Sequence, residues 1–328
     1  MLAPVGVTDG SSPGKGGNPA GARADGVPEI AIRRLQSGAG GRAAFTSDLS
    51  VAEFAATKRL GVRPITQVMG SCIYHVGYQW TGAGWVGVPQ ELHVLTNAYN
   101  EARELAVKRL RDEVELAGGD AAVGVRITAG RYDWGADLIE FKAIGTAVSC
   151  PPLRTANGPG LSNLDGVSAA ALVAAGYLPM GLVAATSVYY GTLELQRAYQ
   201  VSSIFSSARY QNFEYTEFAD AWYQARGRVL YRLKQQADDA GASGIVGVLW
   251  GQESREHSFT YRPGAMGMPG GPGWGGQGFG TGFGGPRECE VPGVIYTVHA
   301  LATAIGELEG AEVPPVYTMH RLDDKEQR

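Results

Sequence analysis

The chain has 328 residues, a net formal charge of −4 and only 18 % charged side chains; a broad nucleic-acid footprint, which needs clustered Lys and Arg, is therefore not expected. Apolar residues make up 44 %, enough for a packed core and for two ordinary domains. The cysteines Cys72, Cys150 and Cys289 form no Cys-x-x-Cys pair, which fits a reducing, cytoplasmic setting better than a secreted disulfide scaffold.

Residues 1–44 are rich in Gly, Ala and Pro and read as a flexible tail, apart from the segment EIAIRRL. No apolar stretch follows a basic start, so no signal peptide is expected. Two phosphate-loop look-alikes fail. GSSPGKG at 10–16 is one residue short of the P-loop spacing and lacks Ser or Thr after Lys15. GAGGRA at 38–43 has no βαβ unit around it.

From residue 45 the chain follows a pattern that it later repeats. A short helix stopped at Gly61 leads through Pro64 into a β-branched strand near 65–76. After a connection at 78–95, Tyr99, Ala102, Ala106, Leu110, Val114 and Ala117 fall at spacings of three and four, the apolar face of a helix. AGGDAAVGVRI (117–127) then carries a glycine helix stop, Gly118, into an apolar strand containing Gly124. A glycine inside a strand marks a bulge or a close backbone approach. EFKAIGTAV (140–148), with Gly145, is the last strand of this first unit, 45–149.

A linker is expected at 150–163, and a second unit at 164–305. Gly176, Pro179 and Tyr189 repeat Gly61, Pro64 and Tyr74 at an offset of 115, and the strand recurs near 180–191. Gly166 to Leu193 holds no charge and is long enough to span a bilayer. Pro179 interrupts it, and the matching first-unit stretch carries Glu53, Lys58, Arg59 and Arg63, so buried core is expected and no membrane span. Past a connection at 193–216, Trp222, Ala225, Val229, Leu233, Ala237 and Ala240 repeat the helix face at an offset of 123, with Gly241 and Gly247 following. TVHALATAI (297–305) repeats the last strand at an offset of 157. The jump of 34 predicts a hairpin insertion, which includes the glycine-rich 262–288 with Trp274, Phe279 and Phe283. It reads as a flexible loop or a weakly adhesive segment for a protein partner. Residues 306–328 form a C-terminal tail.

Gly118, Gly119, Asp120, Ala121, Val123, Gly124 and Val125, followed by Gly145, Thr146, Ala147 and Val148, resemble the YbjQ-like, heavy-metal-binding family. Gly241, Val246, Gly247, Val248, Thr303 and Ala304 keep the pattern in the second unit, which departs from it at Ala302. The resemblance covers roughly 65–149 and 180–305. It implies an α+β fold of two tandem β-α-β-β units similar to dodecin subunits, each a small antiparallel sheet crossed by one helix. It also implies homo-oligomeric rings, with pentamers among family members. Apolar strand residues such as Val68, Ile73 and Val125 independently favour association, because a three-stranded sheet under one helix keeps open edges and a second face.

A divalent or heavy metal is the cofactor the resemblance suggests. Cys72 and His75 are the best-placed ligands by spacing, but on a strand three positions place them on opposite faces. The second unit has Ser187 and Tyr190 there; Cys150, His257, Cys289 and His299 add no ligand pattern, and His299 aligns with Lys142. No histidine recurs between the units. The recurring polar residues are Arg103 with Arg226 and Arg109 with Arg232. They read as a solvated face or an interface ion pair; Arg103 and Arg226 are also candidates for an anion pocket at subunit seams. The expectation is a non-enzymatic, ring-forming scaffold or binding module. A heavy-metal sensor or sequestering protein is the first alternative, and an enzyme with an active site at subunit seams the second.

Overall fold

The computed structural model describes residues 26–39, 46–59, 61–77, 89–132, 135–155, 158–202, 211–261 and 289–308. The glycine-rich 262–288 and most of both expected tails lie outside the described residues.

Helices α1 (Glu29–Ala39) and α2 (Val51–Arg59) precede β1 (Arg63–His75). Then come β2 (Gln90–Glu91), α3 (His93–Leu116), β3 (Ala121–Tyr132) and β4 (Gly135–Ser149). A 3-10 turn at Pro151–Leu153 leads to β5 (Gly160–Leu161), α4 (Gly166–Ala174) and β6 (Tyr177–Thr192). The rest is α5 (Leu195–Ser202), α6 (Thr216–Asp239), β7 (Gly244–Glu256), β8 (Phe259–Tyr261), β9 (Cys289–Val291) and β10 (Gly293–Glu307). The class is mixed α+β.

Two four-stranded sheets have the orders β1-β4-β3-β5 and β2-β6-β10-β7. Their long strands are antiparallel throughout. The two halves exchange short strands. β2, which precedes the first half's helix, pairs with β6 of the second sheet. β5, in the stretch expected as a linker, lies parallel to β3 of the first.

The periodic helix faces are the buried ones. Ala102, Ala106, Leu110 and Val114 of α3 are fully enclosed, as are Ala225, Val229 and Leu233 of α6. Each buried Leu or Val contributes about 1.5–3 kcal/mol of transfer free energy. Gly118 and Gly241, at φ +68° and +67°, end the helices in the left-handed conformation that side chains disfavour. Neither N-terminus carries a side-chain cap. Instead the Leu92 N–H donates to Val188 O of β6, so α3 begins where the chain leaves the second sheet.

β6 is buried on both sides. Val183, Ala185 and Tyr189 join the core under α6. Val188 and Tyr190, with Ile295, join the core around α3, Val68 and Phe141. The layer order is therefore first sheet, α3, second sheet, α6. The uncharged stretch 166–193 supplies α4 and β6, which explains its composition. Among the described residues, no helix is long and apolar enough to cross a membrane.

Gly124 and Gly247 mark equivalent bulges. The β3–β4 register shifts between Val123 and Arg126, and the β10–β7 register between Leu301 and Thr303. Both glycines have positive φ, +64° and +65°, as an extra residue kinking a strand requires. Gly145 is a close approach instead: a Cβ there would sit 3.1 Å from the Val125 side chain.

Candidate functional site at the seam between the halves

β2 and the start of α3 form a polar seam against β6 and α6. Glu91 is its centre. The carboxylate accepts from Arg232 Nη1 at 2.7 Å, Ser187 Oγ at 2.8 Å and Thr96 Oγ1 at 3.4 Å. Its second oxygen has no hydrogen-bond partner among the described residues, with Arg228 Nε 3.7 Å away. Burial opposes ionisation of Glu91, but the bonds from Arg232 and Ser187 and the charges of Arg232 and Arg228 outweigh it and hold the carboxyl below its ordinary pKa.

Beside it, α3 side chains satisfy the backbone of β6. Asn100 Nδ2 donates to Thr186 O and Asn100 Oδ1 accepts from Thr186 N–H, both at 3.0 Å. From the other side, Gln236 of α6 makes the same two-way contact with Ala184, both bonds 2.9 Å. Beyond the two-residue pairing with β2, the free side of β6 is thereby closed by amide side chains in place of a neighbouring strand.

Arg103 lies buried in this seam and donates to Thr186 Oγ1 at 3.0 Å. Burial pushes its pKa down to about 10, with Arg232 adding to the effect and Glu104 opposing it, so the guanidinium stays charged at neutral pH. It borders a cleft of about 290 Å³ that also holds Lys108, Arg111 and Glu104. Arg226 is elsewhere: exposed on α6, its guanidinium lies 6.0 Å from the Trp222 ring and 5.7 Å from Trp250. The structure does not bring the two arginines together.

Cys72 points into the core and His75 outward, as strand alternation requires. Burial raises the Cys72 thiol pKa while Arg109 opposes the rise. Among the described residues, no three His, Cys, Asp or Glu side chains cluster as a metal site would need. An apolar cavity of about 190 Å³ lies between α2, α4 and the 151–153 turn, lined by Thr57, Val123, Cys150, Leu153, Val173 and Leu178. Burial raises the Cys150 pKa as well, which leaves the thiol protonated and a poor nucleophile.

Sequence reasoning missed Glu91, Asn100 and Gln236. It also missed two hydroxyl clasps. Thr146 Oγ1 meets Ser47 Oγ at 3.2 Å and accepts from Asp48 N–H, while Thr303 Oγ1 meets Ser162 Oγ at 3.0 Å and accepts from Asn163 N–H. The signal was present: Ser47 and Ser162 stand 115 residues apart, and Glu91 and Glu214 stand 123 apart, the offsets of the neighbouring repeats.

An α+β chain with paired sheets and a polar seam is the class to which comparison adds a family. Residues 86–151 match the YbjQ family, described as "Putative heavy-metal-binding". The chain belongs to the family of the encapsulin nanocompartment protein Rv1762c of Mycobacterium tuberculosis (strain ATCC 25618 / H37Rv). The two are 35 % identical over 211 residues, 62 % of this chain and 76 % of that protein. A UPF0145 protein of Lacticaseibacillus casei (strain BL23) is 43 % identical over 58 residues, 18 % of this chain and 52 % of the relative. No solved structure matches the chain.

Proposed function

We propose that the chain is a self-assembling, non-enzymatic subunit built from two tandem copies of a YbjQ-like unit, at 45–149 and 164–305. It forms closed cytoplasmic rings or shells, and its role is that of a scaffold or compartment component. The observation that carries this reading is β7. Val248, Leu249 and Trp250 are consecutive, 37 %, 54 % and 43 % exposed, on a strand at the edge of its sheet. An open apolar edge is a template for association. The name of the Mycobacterium tuberculosis relative, a nanocompartment protein, supports the same direction. The recurrence of the hydroxyl clasps and helix faces at fixed offsets supports the tandem reading.

Negative-stain electron microscopy of the purified full chain tests this. Uniform rings or closed particles are expected; dispersed single chains contradict the proposal. Metal analysis of protein purified without chelator addresses the sequestering alternative. No stoichiometric metal is expected; metal that is lost on replacing Cys72 and His75 would make the chain a metal-sequestering protein instead.

A further inference from the structure

The seam inside the chain has two parts, and each has a matching part elsewhere in the chain. In the first, Gln90–Glu91 pair with Tyr190 and Tyr189 on the edge of β6, and Glu91 meets Arg232, which also donates to Thr186 O. In the second, Ser162–Leu164 lie along β3: Ser162 N–H donates to Ala122 O, Gly124 N–H to Leu164 O, and Val125 N–H to Ser162 O.

The same offsets give the counterparts. Gln90–Glu91 correspond to Phe213–Glu214, and Tyr189 and Tyr190 to Tyr74 and His75 on β1. Arg232 corresponds to Arg109, which donates to Ser71 O as Arg232 does to Thr186 O. Glu113 accepts from Met69 N–H as Gln236 does from Ala184 N–H. Ser47–Leu49 carry the same hydroxyl clasp as Ser162–Leu164, and Ala122–Val125 correspond to Ile245–Val248.

Among the described residues, no second segment pairs along these counterparts; Phe213 meets the Arg197 guanidinium and the Tyr215 ring, Glu214 O accepts from Arg197, and Asp48 pairs with Arg126. β1 ends the first sheet and β7 the second. Phe213, Glu214 and His75 are exposed. So are Met69 and Ile73 on the outer face of β1, and Tyr223 on the helix side equivalent to Asn100. Helix α1 flanks the Met69 end of the β1 edge through Arg34 and Glu113; among the described residues no strand pairs with the outer edge at Ile73–His75.

We infer that a second copy of this chain docks head to tail by repeating the internal seam. Phe213–Glu214 of one copy add to β1 of the next at His75 and Tyr74, Glu214 meets Arg109, and Ser47–Leu49 add to the β7 edge at Ile245–Val248. The surface pairs unlike patches, a heterologous contact, so repeating it builds a ring when the rotation closes. Glu214 and Arg109 give the contact its charge complementarity, as Glu91 and Arg232 do internally, and fix its register. The inference rests on the proposed assembly and specifies its contact.

Two measurements on the full chain test it. The first is non-reducing electrophoresis after mild oxidation of the double variant His75→Cys with Phe213→Cys; both positions are exposed, so folding is not at stake. A ladder exceeding that of the parent chain, whose native cysteines set the background, is expected for the double variant and not for either single variant, because the new cross-link needs both introduced thiols. The second is native mass of Glu214→Arg, of Arg109→Glu and of the double reversal. Each single reversal should weaken association at least about 10-fold, and the double reversal should recover it. Oligomers that form without the ladder and ignore the reversals would overturn this contact while leaving assembly standing. A single-chain native particle would overturn both.

Discussion

β3 and β7 are written alike and are covered differently. Val125 on β3 is fully buried, while its counterpart Val248 on β7 is 37 % exposed. The same contrast separates Glu91 from Glu214 and Arg103 from Arg226: the first of each pair is buried and the second exposed. The pattern of apolar residues therefore sets which face can be covered. Whether it is covered depends on a neighbour. β3 has the segment 160–164 against it, and α3 has the second sheet. Among the described residues the outer edge of β7 and the outer side of α6 have no segment paired along them; the Asn163 amide and the Leu164 side chain reach β7 at Gly247.

The largest test of that comparison concerns the buried helix faces, where the halves should behave alike. Leu110→Ala and Leu233→Ala should each destabilise the protein by about 2–5 kcal/mol, since both remove a fully enclosed side chain. Chemical denaturation measures this. A cost at only one position would show that the two helices do not bear on their sheets equivalently.

At the seam the halves should differ. Glu91→Ala removes a buried carboxylate from half-buried Arg232 and from Ser187 and should cost about 3 kcal/mol, whereas Glu214→Ala should leave the stability of an isolated chain unchanged. The Glu91 pKa is lower in the folded than in the unfolded chain. Its contribution is therefore complete above the ordinary carboxyl value of 4.5 and lost as the pH falls through the folded-state pKa. Stability measured from pH 7 down to pH 3 should show this decline in the parent and less of it in Glu91→Ala.

The smallest effect sharpens the comparison of Glu113 with Gln236. Burial raises the Glu113 pKa, and its bond from Met69 N–H and the charge of Arg34 offset the rise only in part. A raised carboxyl pKa means stability falls as the pH rises from 4.5 through the folded-state value. Glu113→Gln supplies the residue that the second half already uses. It should stabilise at neutral pH by on the order of 1 kcal/mol and change nothing under acid. Denaturation at pH 7 and pH 4 decides it; a loss at neutral pH would show that the Arg34 pair outweighs burial.

How far the sequence could be read follows from what each feature needs. The faces of α3 and α6 were legible because 3.6-residue periodicity is local, and the glycines at 118, 124, 241 and 247 because positive φ leaves a residue signature. The strands were placed within about three residues for β1 and β6. β2 and β5 escaped because two residues carry no periodicity, and the true start of α3 because Leu92 is held by β6 and not by a capping side chain. Glu91 was overlooked for a different reason. Its partners Arg232, Ser187 and Thr96 come from three elements, and only the fold gathers them. Its recurrence as Glu214 was the one trace available.

The mass of the native particle, read by native mass spectrometry on the full chain at micromolar concentration, bears most directly on the central claim that the chain exists to assemble. A multiple of the 34.6 kDa chain mass is the expected result. A particle that stays at 34.6 kDa across the concentration range would contradict it.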